Sequence, residues 1–267
     1  MHPAELGELE AFHDLYAVAP HGLGARAQEI GGALCLRLDA APTSAMFNRA
    51  LGLGLREPAT EEALDEVAAF FGDGVGWCVA LAPHAEPPEL PSWLERRRFV
   101  TGYGWSKFRR GVADPPEVRT ELRVEPAGAE NAPAFAETFV RGYGTPGFFR
   151  DWLARIPGRA GWHCFLAYDG GEPAGAGALF VAGTVGWLGI AATLPEHRRK
   201  GAQGAILAAR IEAAAAAGCE AVVTETGALL EGRPAASHRN IVRAGFDEEY
   251  VRANYLSSPE ADTSGTA

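Results

Sequence analysis

Apolar positions along the chain switch repeatedly between a helical and a strand period, in two successive runs of similar order. Leu6, Leu9, Phe12, Leu15 and Tyr16 predict an amphipathic helix over residues 5–16. Gly22 to Ala27 fits a G-x-G-x-x-A pattern, but no strand precedes it, so it reads as a loop leading into a helix. Residues 33–38 predict a strand and 46–51 its neighbour. Thr60 is placed as the N-cap of a helix to about Phe71, with Glu61, Glu62 and Glu66 near its start and Gly72-Asp73-Gly74 at its end. A strand over 76–82, a short helix over 91–97 and an extended segment over 99–108 complete the first run.

Residues 109–119, with Pro115-Pro116, read as a linker. The second run predicts a strand near 121–125 and a helix over 131–142 that tolerates Pro133 in its first turn. Gly142 to Gly147 has the letters G-x-G-x-x-G, but it follows a helix and contains Pro146, which removes the dinucleotide reading. Its neighbours Tyr143, Phe148, Phe149 and Trp152 fit either an apolar lip or rings packing a helix on a sheet. Strands follow over 162–168, 173–182 and 185–193, then a helix over 205–217 and a strand over 220–226. The last must run parallel to its predecessor, because a helix connects them.

The stretch from Leu188 to Gly218 carries the chemistry: a strand, a turn containing Pro195 and Arg198-Arg199-Lys200-Gly201-Ala202-Gln203-Gly204, and an alanine-rich helix. The N–H groups at a helix start have no partner within the helix and lie at its positive end. With three cations and two glycines, this turn suits a pyrophosphate. It fits neither the P-loop nor the dinucleotide spacing. Arg198 to Gln203 resembles the R-x-x-G-x-G/A motif of the GNAT superfamily of acyl-CoA N-acyltransferases, and Ala244-Gly245-Phe246 resembles that family's C-terminal "GF" turn. Gln203 departs from the small third residue of the motif. The resemblance covers roughly Arg119 to Tyr255.

That resemblance implies an α+β fold with a mixed, mostly antiparallel sheet flanked by helices, in two tandem copies. The first, residues 1–113, is a degenerate GNAT-like or unrelated α+β domain without a basic cradle. The second, 119–257, is the N-acyltransferase domain, and 258–267 a disordered tail. It also implies acetyl-CoA as acyl donor, with pantetheine along Ala191, Ala192 and Thr193 between splayed strands. The pyrophosphate would lie on Arg198, Arg199, Lys200, Gly201, Ala202, Gln203 and Gly204, with Asn240 beside it. Glu225 is the candidate base that deprotonates an attacking amine, with His163 and His238 behind it. The family's tyrosine, four residues before the glycine of the "GF" turn, is Ile241 here. Ser237 therefore becomes the candidate acid, with His238, Tyr250 or water as alternatives. An acetyltransferase of small-molecule amines is expected; a catalytically silent acyl-CoA-binding or scaffold protein is the alternative.

Composition narrows this further. The chain has 267 residues, a formal net charge of −10 and no basic stripe, which disfavours nucleic acid as a partner. The four cysteines show no C-x-x-C spacing and read as buried thiols of a reducing, cytoplasmic setting. The histidines lack metal-ligand spacing, so no metal site is expected. Residues 173–195 are uncharged and precede three basic residues, as a membrane span would, but five internal glycines and Gly183-Thr184 favour a β-hairpin.

Overall fold

The computed structural model describes residues 2–230 and 236–257. The expected tail at 258–267 lies outside the described residues. In chain order the elements are α1 (Pro3–Ala17), β1 (Ala25–Ile30), β2 (Ala33–Leu38), β3 (Arg49–Leu51), α2 (Glu61–Phe71), β4 (Cys78–Leu81), α3 (Leu90–Arg96) and β5 (Val100–Gly111). They continue with β6 (Arg123–Ala127), α4 (Ala132–Tyr143), α5 (Phe149–Leu153), β7 (Trp162–Asp169), β8 (Glu172–Ala182), β9 (Val185–Thr193), α6 (Ala202–Ala216), β10 (Ala221–Gly227), α7 (Ala236–Arg243) and β11 (Asp247–Leu256).

The eleven strands among the described residues join one mixed sheet in the order β1-β2-β3-β4-β11-β5-β10-β9-β8-β7-β6. The order is nearly symmetric about its centre, and the last strand of each half crosses it. Strand β5, from the first half, lies between β10 and β11; β11, from the second, lies between β4 and β5. The units expected at 1–113 and 119–257 therefore complete each other's sheet. Both contain a parallel pair joined by a helix: β3 and β4 through α2, and β9 and β10 through α6.

The core is shared as well. Leu34, Leu36, Leu38 and Phe47 belong to one buried cluster with Phe135, Trp152 and Trp187. Phe47 meets Phe149 at 5.3 Å, and Trp152 Nε1 donates to Leu15 O at 2.7 Å. Phe149 and Trp152 are thus packing residues rather than a lip. Large aromatic surfaces dominate such burial, which ties the halves together.

Two segments differ from the sequence expectation. Residues 25–30 form strand β1, not the start of a helix, in a hairpin with β2 through Gly31 and Gly32, whose φ values are 52° and 75°. The half-buried residues of this edge strand are the small Ala25 and Ala27, so its period-2 pattern carries little hydrophobic signal. The linker begins later than Arg109: β5 continues to Gly111, because β10 pairs with it as far as Ala221 opposite Gly111. The uncharged stretch at 173–195 is mainly the β8–β9 hairpin, and no helix among the described residues is long and apolar enough to cross a membrane.

Candidate active site

Strands β9 and β10 pair only at three positions, ending with Val223 opposite Trp187. Beyond them the strands separate. Three features hold the opening. Thr224 Oγ1 donates to Leu188 O at 2.8 Å just past the last pair. Ile190 has φ 46°, and the β8–β9 register shifts there between Ala176 and Ala178. Arg210, a buried residue of α6, donates from Nη1 to Ala178 O at 3.0 Å and to Gly189 O at 3.2 Å, satisfying carbonyls that flank this bulge. Burial pushes the Arg210 pKa down to about 9, which still leaves it charged at neutral pH.

Ala191, Ala192 and Thr193 line the β9 side of the gap and are half-buried. Leu194 N donates to Ala174 O at 2.9 Å, so by strand alternation the backbone groups of Thr193 point away from β8, toward the gap. Gly142, near the end of α4, lies so close that a Cβ there would come within 2.9 Å of the Ala192 Cβ and 3.2 Å of the Thr193 carbonyl carbon. That approach seats the neighbouring Tyr143 beside the end of β9.

The turn after β9 meets the demands of an anion site. Gly201 is the N-cap of α6 with φ 90°, and no side chain caps the helix. The first amides of α6 are therefore without acceptors at the positive end of its dipole. Arg198 and Arg199 are exposed and make no ion pair among the described residues. Lys200 is engaged by Asp169 of the β7–β8 turn, which His197 Nδ1 also meets at 2.8 Å. The linker supports the turn from behind: Thr120 Oγ1 donates to Lys200 O at 2.6 Å, and a Cβ on Gly201 would stand 3.1 Å from the Thr120 Cβ. Gly204 meets only Val118 at ordinary contact distance. The first half offers a contrast. There the equivalent helix α2 is capped by Thr60 Oγ1, which accepts from Ala63 N, and starts with Glu61 and Glu62. An anion is favoured at the uncapped, basic start of α6 and disfavoured at the capped, acidic start of α2.

Gln203 bridges two helices. Its Nε2 donates to Ser237 Oγ at 3.1 Å and its Oε1 accepts from Asn240 Nδ2 at 2.7 Å. Ser237 and Asn240 thus stand together over the start of α6, tied by the residue that departs from the motif. Ile241 points the other way, into a buried cluster with Phe108, Leu207, Ile211 and Phe246. His238 Nε2 meets Glu248 Oε2 at 2.9 Å, and Tyr250 OH donates to Glu5 Oε1 at 2.8 Å. His163 is exposed on β7.

Glu225 sits two residues past the last β9–β10 pair, opposite Lys107 of β5, which donates to its Oε2. Lys107 Nζ also donates to Glu8 Oε2 at 2.9 Å, and Arg252 binds both Glu5 and Glu8. Burial, then the Glu8 carboxylate, raises the Glu225 pKa above the ordinary carboxylate value against the pull of Lys107 and Arg252. Although burial opposes it, Arg252 and Lys107 hold Glu8 well below that value. Burial pushes the Tyr143 phenol up to about 12; Tyr103, Arg49 and Glu225 also act on it. Sequence reading missed Glu8, Lys107, Arg49 and the Tyr143 hydroxyl as parts of this site. Two hollows of about 340 and 180 Å³ lie elsewhere, around His2, Arg56 and His84 and around His13 and Leu34.

A parallel pair that parts beside an uncapped, basic helix N-terminus is the geometry of this region, and residues 129–232 match the model of the acetyltransferase (GNAT) family. This segment is a GNAT domain. Solved structures extend the likeness to nearly the whole chain. A GCN5-related N-acetyltransferase from Kribbella flavida superposes with a TM-score of 0.66 at 20% identity, covering 96% of this chain and 95% of its own. A GCN5-related N-acetyltransferase from Sphaerobacter thermophilus gives 0.62 at 14%, covering 88% and 84%. A tandem GNAT protein from the clavulanic acid biosynthesis pathway gives 0.58 at 15%, covering 94% and 95%. A search of curated protein sequences found no match. The GNAT domain and the fold support acyl transfer as the general activity.

Proposed function

We propose that the protein is an acetyl-CoA-dependent N-acetyltransferase of small-molecule amines, with one active site in its GNAT domain. The observation that carries this reading is the uncapped N-terminus of α6, flanked by the exposed Arg198 and Arg199 at the open end of the β9–β10 pair. The cradle from Arg198 to Gly204 would hold the pyrophosphate, with Ala191 to Thr193 beside the pantetheine arm.

In the reaction, the lone pair of a neutral amine attacks the thioester carbonyl. The nitrogen proton passes to Glu225, the C–S bond breaks, and the thiolate leaves and takes a proton from water. A carboxylate with a raised pKa is a better match to this transfer than an ordinary one. Lys107 keeps Glu225 oriented. The Thr193 N–H and the Tyr143 hydroxyl are the donors proposed for the developing oxyanion.

One observation favours a silent acyl-CoA binder instead: Ile241 is in the core, so α7 brings no phenol to the cleft from that position. Calorimetric titration of acetyl-CoA into the wild type and Arg198→Glu/Arg199→Glu, followed by thiol release with a panel of amines, tests both readings. Binding that the double variant loses, with amine-dependent thiol release, supports the enzyme. Binding without release supports the silent binder, and equal binding by both proteins rejects the cradle.

A further inference from the structure

Arg49 belongs to β3 of the first half, yet its side chain reaches the site of the second. Its guanidinium lies 4.1 Å over the Phe12 ring, and Phe12 packs edge-on against Trp187 at 5.4 Å. Trp187 is the last residue of β9 paired with β10, and the Arg49 and Glu225 charges both act on the Tyr143 phenol. A chain of contacts links it to the candidate base: Arg49 to Glu8, Glu8 to Lys107, Lys107 to Glu225.

Arg252 Nε, like Arg49 Nε, has no partner among the described residues, but what separates Arg49 from the other cations of this cluster is that no carboxylate lies within hydrogen-bond distance of its guanidinium. Lys107 and Arg252 are both hydrogen-bonded to carboxylates. Arg49 is only 8% exposed, its Nε has no partner, and Glu8 stands 3.7 Å from its Nη1, outside hydrogen-bond reach. A guanidinium withdrawn from water with idle donors is costly unless a partner arrives. Its planar fork fits a carboxylate.

We propose that Arg49 binds a carboxylate of the acceptor, and that the substrate class is therefore amines bearing a carboxylate, such as amino acids. This rests on the acyl-transfer reading of the Glu225 site. The test compares matched pairs with acetyl-CoA as donor: tyrosine and tyramine, histidine and histamine, arginine and agmatine, lysine and cadaverine. Each is assayed by thiol release with the wild type, Arg49→Met and Arg49→Lys, and acetyl-CoA binding is measured on the same preparations. The expected result is faster transfer to carboxylated members. Arg49→Met should raise their KM about 10- to 100-fold and Arg49→Lys by less, with a much smaller change for the matched amines and with acetyl-CoA binding retained. Retained acetyl-CoA binding shows that Arg49→Met folds. If acetyl-CoA does not bind the wild type, the acyl-transfer reading fails. If it binds but neither class releases thiol, the silent-binder reading holds and the acyl-transfer reading fails; if transfer occurs but the wild type does not prefer carboxylated members, or loses both classes equally on substitution, the Arg49 inference alone is overturned.

Discussion

Lys107 Nζ donates to two carboxylates at once, Glu8 from the first helix and Glu225 from the strand that borders the gap. One ammonium thereby joins the first half of the chain to the candidate base of the second. Lys107→Met should raise the Glu225 pKa further, because burial remains and the nearest positive charge is gone. The acidic limb of the kcat/KM profile should move to higher pH, and unfolding should become easier by about 3 kcal/mol, as expected for a broken buried pair. An unchanged pH profile in a folded variant would contradict the role assigned to this contact.

Arg199 occupies φ 65°, a region that costs a non-glycine residue about 1 kcal/mol. Arg199→Gly should therefore increase denaturant stability by about that much. The same change removes a cradle charge, so acetyl-CoA affinity should fall about 3- to 10-fold and its salt dependence should weaken. Chemical denaturation and calorimetry at two ionic strengths read the two opposite effects.

Ile241→Tyr would restore the family's residue type at its usual position. Here the side chain is 3% exposed among Phe108, Leu207 and Phe246, so the larger ring should overpack the core at a cost of about 1–3 kcal/mol. No gain in kcat is expected. A rise in kcat without loss of stability would show that the helix can present position 241 to the cleft.

Arg210→Met removes the donor that satisfies Ala178 O and Gly189 O beside the β9 bulge. Unpaired buried carbonyls cost about 1–3 kcal/mol, so thermal unfolding should shift down by several degrees. Because the bulge holds the gap open, acetyl-CoA affinity should fall more than the loss of one distant charge explains. Differential scanning calorimetry and acetyl-CoA titration on the same variant check this.

Acid should detach α1. Glu5, Glu8 and Asp14 are held below their ordinary values against the opposing effect of burial, by Arg252 and Lys107 for the glutamates and by Arg159 and Trp162 for Asp14. Depressed carboxylates stabilise the fold above their unfolded values, 4.5 for Glu and 3.8 for Asp, and that stability is lost as pH falls through the folded values. Glu225, being raised, has the opposite sign and favours the fold only below its folded pKa. Tryptophan fluorescence through an acid titration should report the release, since Trp152 bonds to Leu15 O and Trp187 packs on Phe12. Glu8→Gln should move the transition to higher pH.

The uncapped, basic start of α6 that is proposed as the cradle was legible because every part of it is local. Arg198, Arg199, Gly201 and the start of α6 are neighbours in sequence, and a helix N-terminus offers its amides whatever else surrounds it. The parallel course of β9 and β10 was equally readable, since a connecting helix permits little else. The departure at Gln203 was visible, but not that it ties Ser237 and Asn240 to α6.

By itself, then, the sequence determined most of the helices and strands, though not β1, and carried the turn proposed as a phosphate cradle and the match of residues 129–232 to the acetyltransferase (GNAT) family, because each depends on residues close together along the chain. Tertiary structure decided the rest. The amphipathic pattern of residues 5–16 marks Leu9 and Leu15 as core and leaves Glu5 and Glu8 as surface, yet both glutamates are buried. They are inside because α1 lies over the sheet where β5 and β11 cross between the halves, bringing Lys107 and Arg252 beneath them. Burial of a charge depends on a partner about a hundred or more residues away, and no local period encodes where that partner will stand.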